Sequence, residues 1–467
     1  MSKASVGYGT GAAIGIGLEE PAAEGTGVVP DVYIPFKSES LKCKRAVTKS
    51  GTITGDRSVP QRLKGVREAD GDIVCEISGP EFNYLFDKWN GNATGARTDE
   101  TIAGFVTAAP TATVVASGTL AIATFNYCVE TIWRGPGGLL FSQPASANSA
   151  NATTVTGNQK VNLAWAVNGT VPNSPASDWA IAGSAIFRRT GAAPYQLLAV
   201  LSGSGTTYID DGSITELLNV LPYTRAAAAL HTWVKAYVAG QNPLPAVSIT
   251  RLTDNDQSER LLLTRFNTFE VGVKEPNSPV EGKFGVMARD FEPVANPTPA
   301  LTNLQKMMNW QCQVAIDGTF SDAIEAVTIS GTNGCEKIPG CSGKPRYRDI
   351  GRGEREVTGT LGKGFEDHEF WGKMRDGVAF NLRLVGMGQP MALPTLPATY
   401  DFEMGAEDVT PFPYCLVIDA YNCTLSEAGG NVSGKGRIAE NIQFGCAVDA
   451  TTGTELRVRG YDLTPTY

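Results

Sequence analysis

Gly65-Val66-Arg67-Glu68-Ala69-Asp70-Gly71 is written a second time as Gly353-Glu354-Arg355-Glu356-Val357-Thr358-Gly359. Each copy runs into a strand-like stretch and then a short amphipathic helix, predicted over Phe82 to Trp89 and over Glu369 to Arg375. Farther on, Val280-Glu281-Gly282-Lys283-Phe284-Gly285-Val286 finds a counterpart in Val432-Ser433-Gly434-Lys435-Gly436-Arg437-Ile438. Matching elements in the same order define two copies of one domain. Gly71 precedes Val280 by 209 residues and Gly359 precedes Val432 by 73, so the first copy is the longer by 136 (209 − 73). A surplus of that size is a domain in its own right.

The expected organisation is an N-terminal arm over 1–30, a first repeat over 31–95 and 227–295, an inserted domain over 96–226 and a second repeat over 296–467. Composition supports the cut. From Ala108 to Ala226 only ten residues are charged, five of each sign, so the net charge of −9 belongs to the duplicated part. With 52 Gly and 27 Pro the chain is rich in turns, and long helical periodicity is nearly absent. The predicted fold class is all-β with short helices, made of two tandem β-sandwich or barrel-like domains and an inserted β-sandwich.

Several function classes are excluded at this level. No run of 18 apolar residues exists, so no membrane insertion is expected. An acidic chain is a poor grip for nucleic acid, which needs clustered Lys and Arg in excess. The nine cysteines are odd in number and dispersed, and no basic-plus-apolar leader opens the sequence, which points to assembly in a reducing cytoplasm. Cys335 and Cys341 lie close together, but no histidine or further pair completes a zinc set. His231 and His368 are the only histidines, and neither has a motif around it; the acids Glu366, Asp367 and Glu369 beside His368 are those expected at a helix start. No catalytic residue, no cofactor and no metal are therefore assigned, and no enzyme is expected.

Along the chain, the Gly-rich stretch from Met1 to Glu24 does not follow a strand and open a helix, as a nucleotide loop must, and reads as a flexible arm. A polar loop is expected between Arg45 and Lys64, carrying Arg57, Arg62 and Lys64 ahead of Arg67. The second repeat has the same object from Ser330 to Gly351, with Lys344, Arg346 and Arg348 ahead of Arg355. A basic loop in both halves of an acidic protein favours a role in contact. In the insert, strands are predicted over Thr119–Val129, Val161–Val167, Ala185–Arg189, Tyr195–Leu201 and Thr206–Asp211. Leu163 and Trp165 on one strand face, with a tyrosine near the exit, make roughly Pro110 to Ser213 resemble a fibronectin type III domain, an Ig-like sandwich.

The two repeats resemble the phage tail tube proteins. The likeness rests on Gly7-Tyr8-Gly9-Thr10-Gly11, on Pro35-Phe36-Lys37-Ser38-Glu39-Ser40-Leu41, on the basic loop running into Gly65-Val66-Arg67-Glu68, on Gly353 to Gly359, and on Val432 to Asp449 with Gly453-Thr454-Glu455-Leu456-Arg457-Val458. The resemblance implies a major tail tube protein: a structural virion protein whose small β-sandwiches join around a ring, the rings stacking into a conduit for DNA ejection. Two copies per chain make a homotrimeric, pseudo-hexameric ring the economical inference, with a homohexamer as the alternative. Its implied partners are other copies of itself and the tape measure, tail terminator and distal tail proteins, with viral DNA passing through unbound.

Contacts between rings are then expected at Arg57, Arg62, Lys64, Arg67, Lys344, Arg346, Arg348 and Arg355, and the acids expected to face the bore are Glu68, Glu76, Glu356 and Glu366. An acidic bore would repel DNA weakly and keep it moving. The competing class is a bacterial surface adhesin of β-sandwiches that binds glycans, which would explain the insert but neither the missing leader nor the paired basic loops.

Overall fold

Along Arg62–Glu76 the burial alternates: Ala69, Ile73 and Cys75 are buried, while Asp70, Asp72, Val74 and Glu76 stay half exposed. That is a strand with one face on a core. The structure is a computed structural model, and it describes all residues except 1–11, 51–60, 92–95, 102–105, 108–109, 136–137, 142, 145–149, 167–179, 215–228, 235–243, 253–257, 302–303, 342, 365–368, 391–412, 432–438 and 463–467. Among the described residues the chain is mostly β-strand with two short α-helices, as its composition predicts. It divides into one unit of Met1–Thr98, Thr232–Gly388 and Leu416–Arg459 and another of Asp99–His231, Gln389–Cys415 and Gly460–Tyr467.

The first unit is organised by one antiparallel run of eight strands. In chain order these are β1 (Lys42–Lys49, continuing the short Ser38–Glu39 segment), β2 (Arg62–Glu76), β3 (Ser258–Val273), β4 (Glu281–Val294), β5 (Ile324–Thr332), β6 (Glu356–Gly364), β7 (Pro413–Asn431) and β8 (Ala439–Cys446). Helix α1 (Pro80–Asn90) follows β2, and α2 (Glu369–Asp376) follows β6. Pairing gives the order β1-β2-β4-β3-β5-β6-β8-β7, so the second four strands repeat the first four and join them through β3 and β5.

The repetition extends to register. Gly71 faces Val286 and Gly359 faces Phe444. The β3–β4 ladder is bulged between Phe266 and Thr268, and the β7–β8 ladder at the matching place between Leu425 and Glu427. Just before each bulge a non-glycine residue takes a left-handed backbone, Leu263 at φ 45° and Asn422 at φ 47°. A bulky leucine there is a true outlier, and a left-handed residue recurs three positions before the bulge in each long strand. By this register Phe444 takes the place of Val286; the stretch Val432–Ile438, matched to Val280–Val286 by sequence, lies outside the described residues.

The glycine that closes each motif has a steric reason. A Cβ on Gly71 would lie 2.5 Å from the Ser40 carbonyl oxygen, and one on Gly359 would lie 2.6 Å from that of Thr328, so in both copies the neighbouring backbone fills the space.

Helix α1 begins on Pro80 with Glu81 in its first turn and ends at Gly91, whose N–H donates to the Asp87 carbonyl at 3.0 Å. It is buried from Glu81 to Asn90, with Phe82, Phe86 and Trp89 packed on Phe284 and Phe269. Its buried carboxylate, Asp87, accepts from Arg97 at 2.7 Å and from the Trp233 indole at 3.0 Å. Helix α2 keeps Phe370 where α1 has Phe82, but Lys373, Met374 and Gly377 stand where α1 has Leu85, Phe86 and Trp89, so it buries only Phe370.

Two sequence expectations are revised. Ala13–Leu18, read as part of an arm, is a strand paired with Val32–Ile34 and with Val247–Leu252, because Ile14 and Ile16 alternate with small residues and are fully buried. The loop expected from Arg45 to Lys64 begins and ends in a two-stranded ladder that continues to the Lys49–Arg62 pair, its middle, 51–60, lying outside the described residues; both faces of the ladder are wet, so no apolar alternation betrays it.

In the second unit, Thr124–Gly135 carries Ala180–Thr190 along one edge, with Gln196–Ser202 beyond it, while Lys160–Ala164 lies between Thr111–Val115 and Thr207–Asp210. Phe125, Tyr127, Val129 and Ile186 from the first sheet meet Val161 and Leu163 from the second, with Trp165, in one core. Inside it, Asp210 accepts from the Tyr127 hydroxyl at 2.7 Å and from Arg188 at 2.8 Å. In the same unit His231 is fully buried between Asp99, at 2.8 Å, and Asp462, at 3.3 Å. Burial alone would lower its pKa, but the hydrogen bonds and charges of Asp462 and Asp99 prevail and raise it. A raised folded pKa adds stability in full below the unfolded value of about 6.5, and that stability is lost as pH rises through the folded value. The stability difference between wild type and His231→Gln is therefore expected to be largest near pH of about 6 and to shrink toward about 9, as read from urea midpoints across that range.

Candidate assembly interface

The two halves of the sheet in the first unit meet at a seam between β3 and β5. Along it Thr268 faces Thr332, Phe269 faces Gly331, Glu270 faces Ser330 and Gly272 faces Thr328. Trp89 seals it from the helix side. Its indole N–H donates to the Asn267 carbonyl at 3.1 Å, and its ring lies 4.3 Å from that of Phe269. Gly331 makes room for both rings, since a Cβ there would sit 2.5 Å from Phe269 and 2.7 Å from Trp89. Asn333 ties the halves together by donating to the carbonyls of Trp89, at 2.9 Å, and Phe266, at 3.2 Å.

The second half reaches across through Arg355. Its guanidinium lies 4.3 Å above the Trp89 ring, donates to Asn90 at 3.0 Å and pairs with Glu455 at 3.1 Å. Burial lowers its pKa to about 10 against the opposing charge of Glu455, a value at which it remains a cation at neutral pH. Arg67, its counterpart in the first motif, pairs with Asp290 at 2.9 Å. The basic loop of the second repeat also lies on the first: the Arg67 N–H donates to the Pro345 carbonyl at 2.8 Å, Lys337 pairs with Glu68 at 2.7 Å, and Arg346 approaches Asp290 at 3.8 Å.

The predicted contact residues thus divide. Arg67, Arg346 and Arg355 are engaged within the chain; Arg62, Lys64, Lys344 and Arg348 are exposed; Arg57 lies outside the described residues. Of the predicted acids, Glu68, Glu76 and Glu356 fall on the sheet face away from α1, and Glu366 lies outside the described residues.

That face changes character across the seam. On the first half the acids have lysine partners: Asp70 with Lys44 at 2.6 Å, Asp72 with Lys283 at 3.0 Å, and Glu281 with Lys37. Burial opposes ionisation of Asp70, but the hydrogen bonds and charges of Lys44 and Lys337 prevail and hold its carboxyl below the usual range. On the second half the same face presents Thr328, Ser330, Thr358, Thr360 and Gln443. The face is mainly polar, and on the first half Asp70, Asp72 and Glu281 are paired with lysines in place, which a charge count along the sequence could not show. Among the described residues no group of His, Cys, Asp or Glu is placed to hold a metal, and no helix is long and apolar enough to cross a membrane.

Sequence reading missed Trp89 and Asn333 as seam residues. Trp89 entered only as the last residue of a predicted amphipathic helix, and nothing local to Asn333 signals that its amide spans two carbonyls of the other repeat. The family model for "phage tail tube protein" matches residues 2–446 of the chain. No curated protein matches it.

Proposed function

The chain belongs to the phage tail tube protein family, a structural and non-enzymatic component of the virion tail that assembles into a tube, and from that premise we propose that it is the major tail tube protein, stacking as rings into the conduit for DNA ejection. The observation that carries the proposal is the repeated sheet: two tube units are already joined edge to edge inside one chain. A closed bore needs its strand edges paired all the way round, because an open edge leaves N–H and C=O groups unpaired. Three chains then supply six units per ring, with six chains per ring as the alternative.

In this reading the helix-free face lines the bore. Lysine-paired acids and hydroxyls give DNA no run of positive charge to bind, so it passes without specific contact. The domains are a first tube unit of 31–95 with 227–295, a second of 296–467 and a fibronectin-like insert of 96–226 carried once per chain. Ring ends would meet the tape measure, tail terminator and distal tail proteins, with assembly in the host cytoplasm. Electron microscopy of the purified protein tests this directly: hollow tubes or stacked rings support it, whereas dispersed monomers that bind sugars would favour a surface adhesin.

Stacking is assigned to the exposed cations Arg62, Lys64, Lys344 and Arg348. Charge complementarity sets encounter rate and register more than affinity, and at 0.1 M salt it acts over about 10 Å. Changing Arg62 and Arg348 together to Ser is expected to slow tube growth about tenfold at low salt, read by light scattering, with the chain still folded by circular dichroism. Growth at the wild-type rate would remove these residues from the ring contact.

A further inference from the structure

The internal seam is a template for the contact between chains, and it can be read residue by residue. On the first repeat, β3 offers its outer edge to β5. Its counterpart in the second repeat is β7, matched by the common bulge and by the left-handed residue before it. Over Cys423–Asn431, β7 is paired with β8; among the described residues no strand lies on its other edge. The counterpart of β5 is β1 with the Ser38–Glu39 segment before it, since Ser330 faces Thr358 as Lys42 faces Asp70. The described ladder on that strand is with β2 alone. The chain therefore ends in the two halves of the seam it contains.

We propose that Cys423–Asn431 of one chain pairs antiparallel with Ser40–Lys44 of the next in the register of the internal seam. Superposing the repeats puts Glu427 in the place of Thr268 and Lys44 in that of Thr332, so the two stand directly opposite each other. Ala428 faces Cys43, and Gly430 faces Leu41. The charges fit this placement. Lys44 and Glu427 both lie on the helix-free face and are exposed. Lys44 pairs within its own chain with Asp70 at 2.6 Å but keeps half its side chain in solvent, free to be shared, and among the described residues Glu427 has no cation partner. Thr268 and Thr332, neutral at the internal seam, become an ion pair at the external one.

The complementarity orients the join, because a Lys44 edge meeting another Lys44 edge, or Glu427 meeting Glu427, would set like charges opposite. On the free chain the Arg251 guanidinium sits on the Leu41 carbonyl at 2.9 Å, held by Glu39 and Glu259. It covers the bare edge as natural edge strands are covered against indiscriminate pairing.

This inference rests on the ring reading, and its test separates the two. Directly opposed residues have Cβ atoms about 4.5–5.5 Å apart, within reach of a disulfide after small adjustment. Ala428→Cys is to be assembled and treated with a copper–phenanthroline oxidant, which takes the two thiol hydrogens as the S–S bond to native Cys43 forms. Burial, chiefly, with the Glu259 charge, pushes the Cys43 thiol up to about 11, so the oxidant is required. Covalent trimers on a non-reducing gel, abolished by adding Cys43→Ser, are expected.

Rings of Ala428→Cys that do not cross-link, or cross-linking by Ser426→Cys or Gly430→Cys in its place, would overturn the register and leave the ring reading standing. Absence of rings in the parent protein would overturn both. Independently, Lys44→Glu or Glu427→Lys alone should weaken each seam about fivefold, and the double reversal should restore assembly. Single variants that assemble as well as wild type would contradict the pairing.

Discussion

Trp89→Ala is expected to lower the stability of the unassembled chain by about 3–5 kcal/mol, the range for removing a fully buried aromatic side chain. The indole is completely buried against Phe86 and Phe269, lies under the Arg355 guanidinium and donates a hydrogen bond to Asn267. Its removal opens a cavity at the point where the repeats meet, so the loss should appear as one lowered urea midpoint for both halves of the sheet. Trp371→Ala on α2 is the matched control. Trp371 is 44% exposed, and a change within about 0.5 kcal/mol is expected there. A Trp89→Ala loss below about 1 kcal/mol would mean that the seam does not depend on this ring.

A second large effect is expected at Asp419. Its buried carboxylate accepts from Arg383 at 2.6 Å and from Arg457 and Arg459 at 2.9 Å, the last also buried. Asp419→Asn keeps the shape but withdraws a charge that three guanidinium groups share. Breaking a buried pair by removing one partner costs about 3–5 kcal/mol, because the remaining charge is left uncompensated. The exposed Lys37–Glu281 pair gives the contrast, since removing a solvated surface partner has little effect on stability. Equal effects at the two sites, measured by denaturant titration, would show that the Asp419 cluster is solvated in practice.

The duplication was legible because its constraints are local. Gly71 and Gly359 recur since a neighbouring carbonyl fills the same space in each copy, and Phe82 and Phe370 recur since each helix drops one ring into a core. The strands of the insert could be read for the same reason: alternation such as Val161, Leu163 and Trp165 records which side chains face inward. The seam was not legible. Its parts, Trp89, Asn267, Gly331, Asn333 and Arg355, come from distant places in the chain and carry no shared period. The basic residues could not be sorted for a related reason, because one looks alike in sequence whether it is solvated like Arg62 or laid on an aromatic ring like Arg355. The acids proposed to face the bore were half legible: strand parity places Glu68, Glu76 and Glu356 on one face, but only pairing across strands reveals the lysines that neutralise their neighbours.

The central claim is that one chain contributes two equivalent tube units to a ring, and counting chains per ring tests it most directly. A cryo-electron microscopy reconstruction of assembled tubes, with native mass spectrometry of single rings, is expected to give three chains, six copies of the β1–β4 pattern around the bore and three copies of the inserted module. Six chains per ring, with six inserted modules, would contradict it and assign the second repeat a role other than closing the bore.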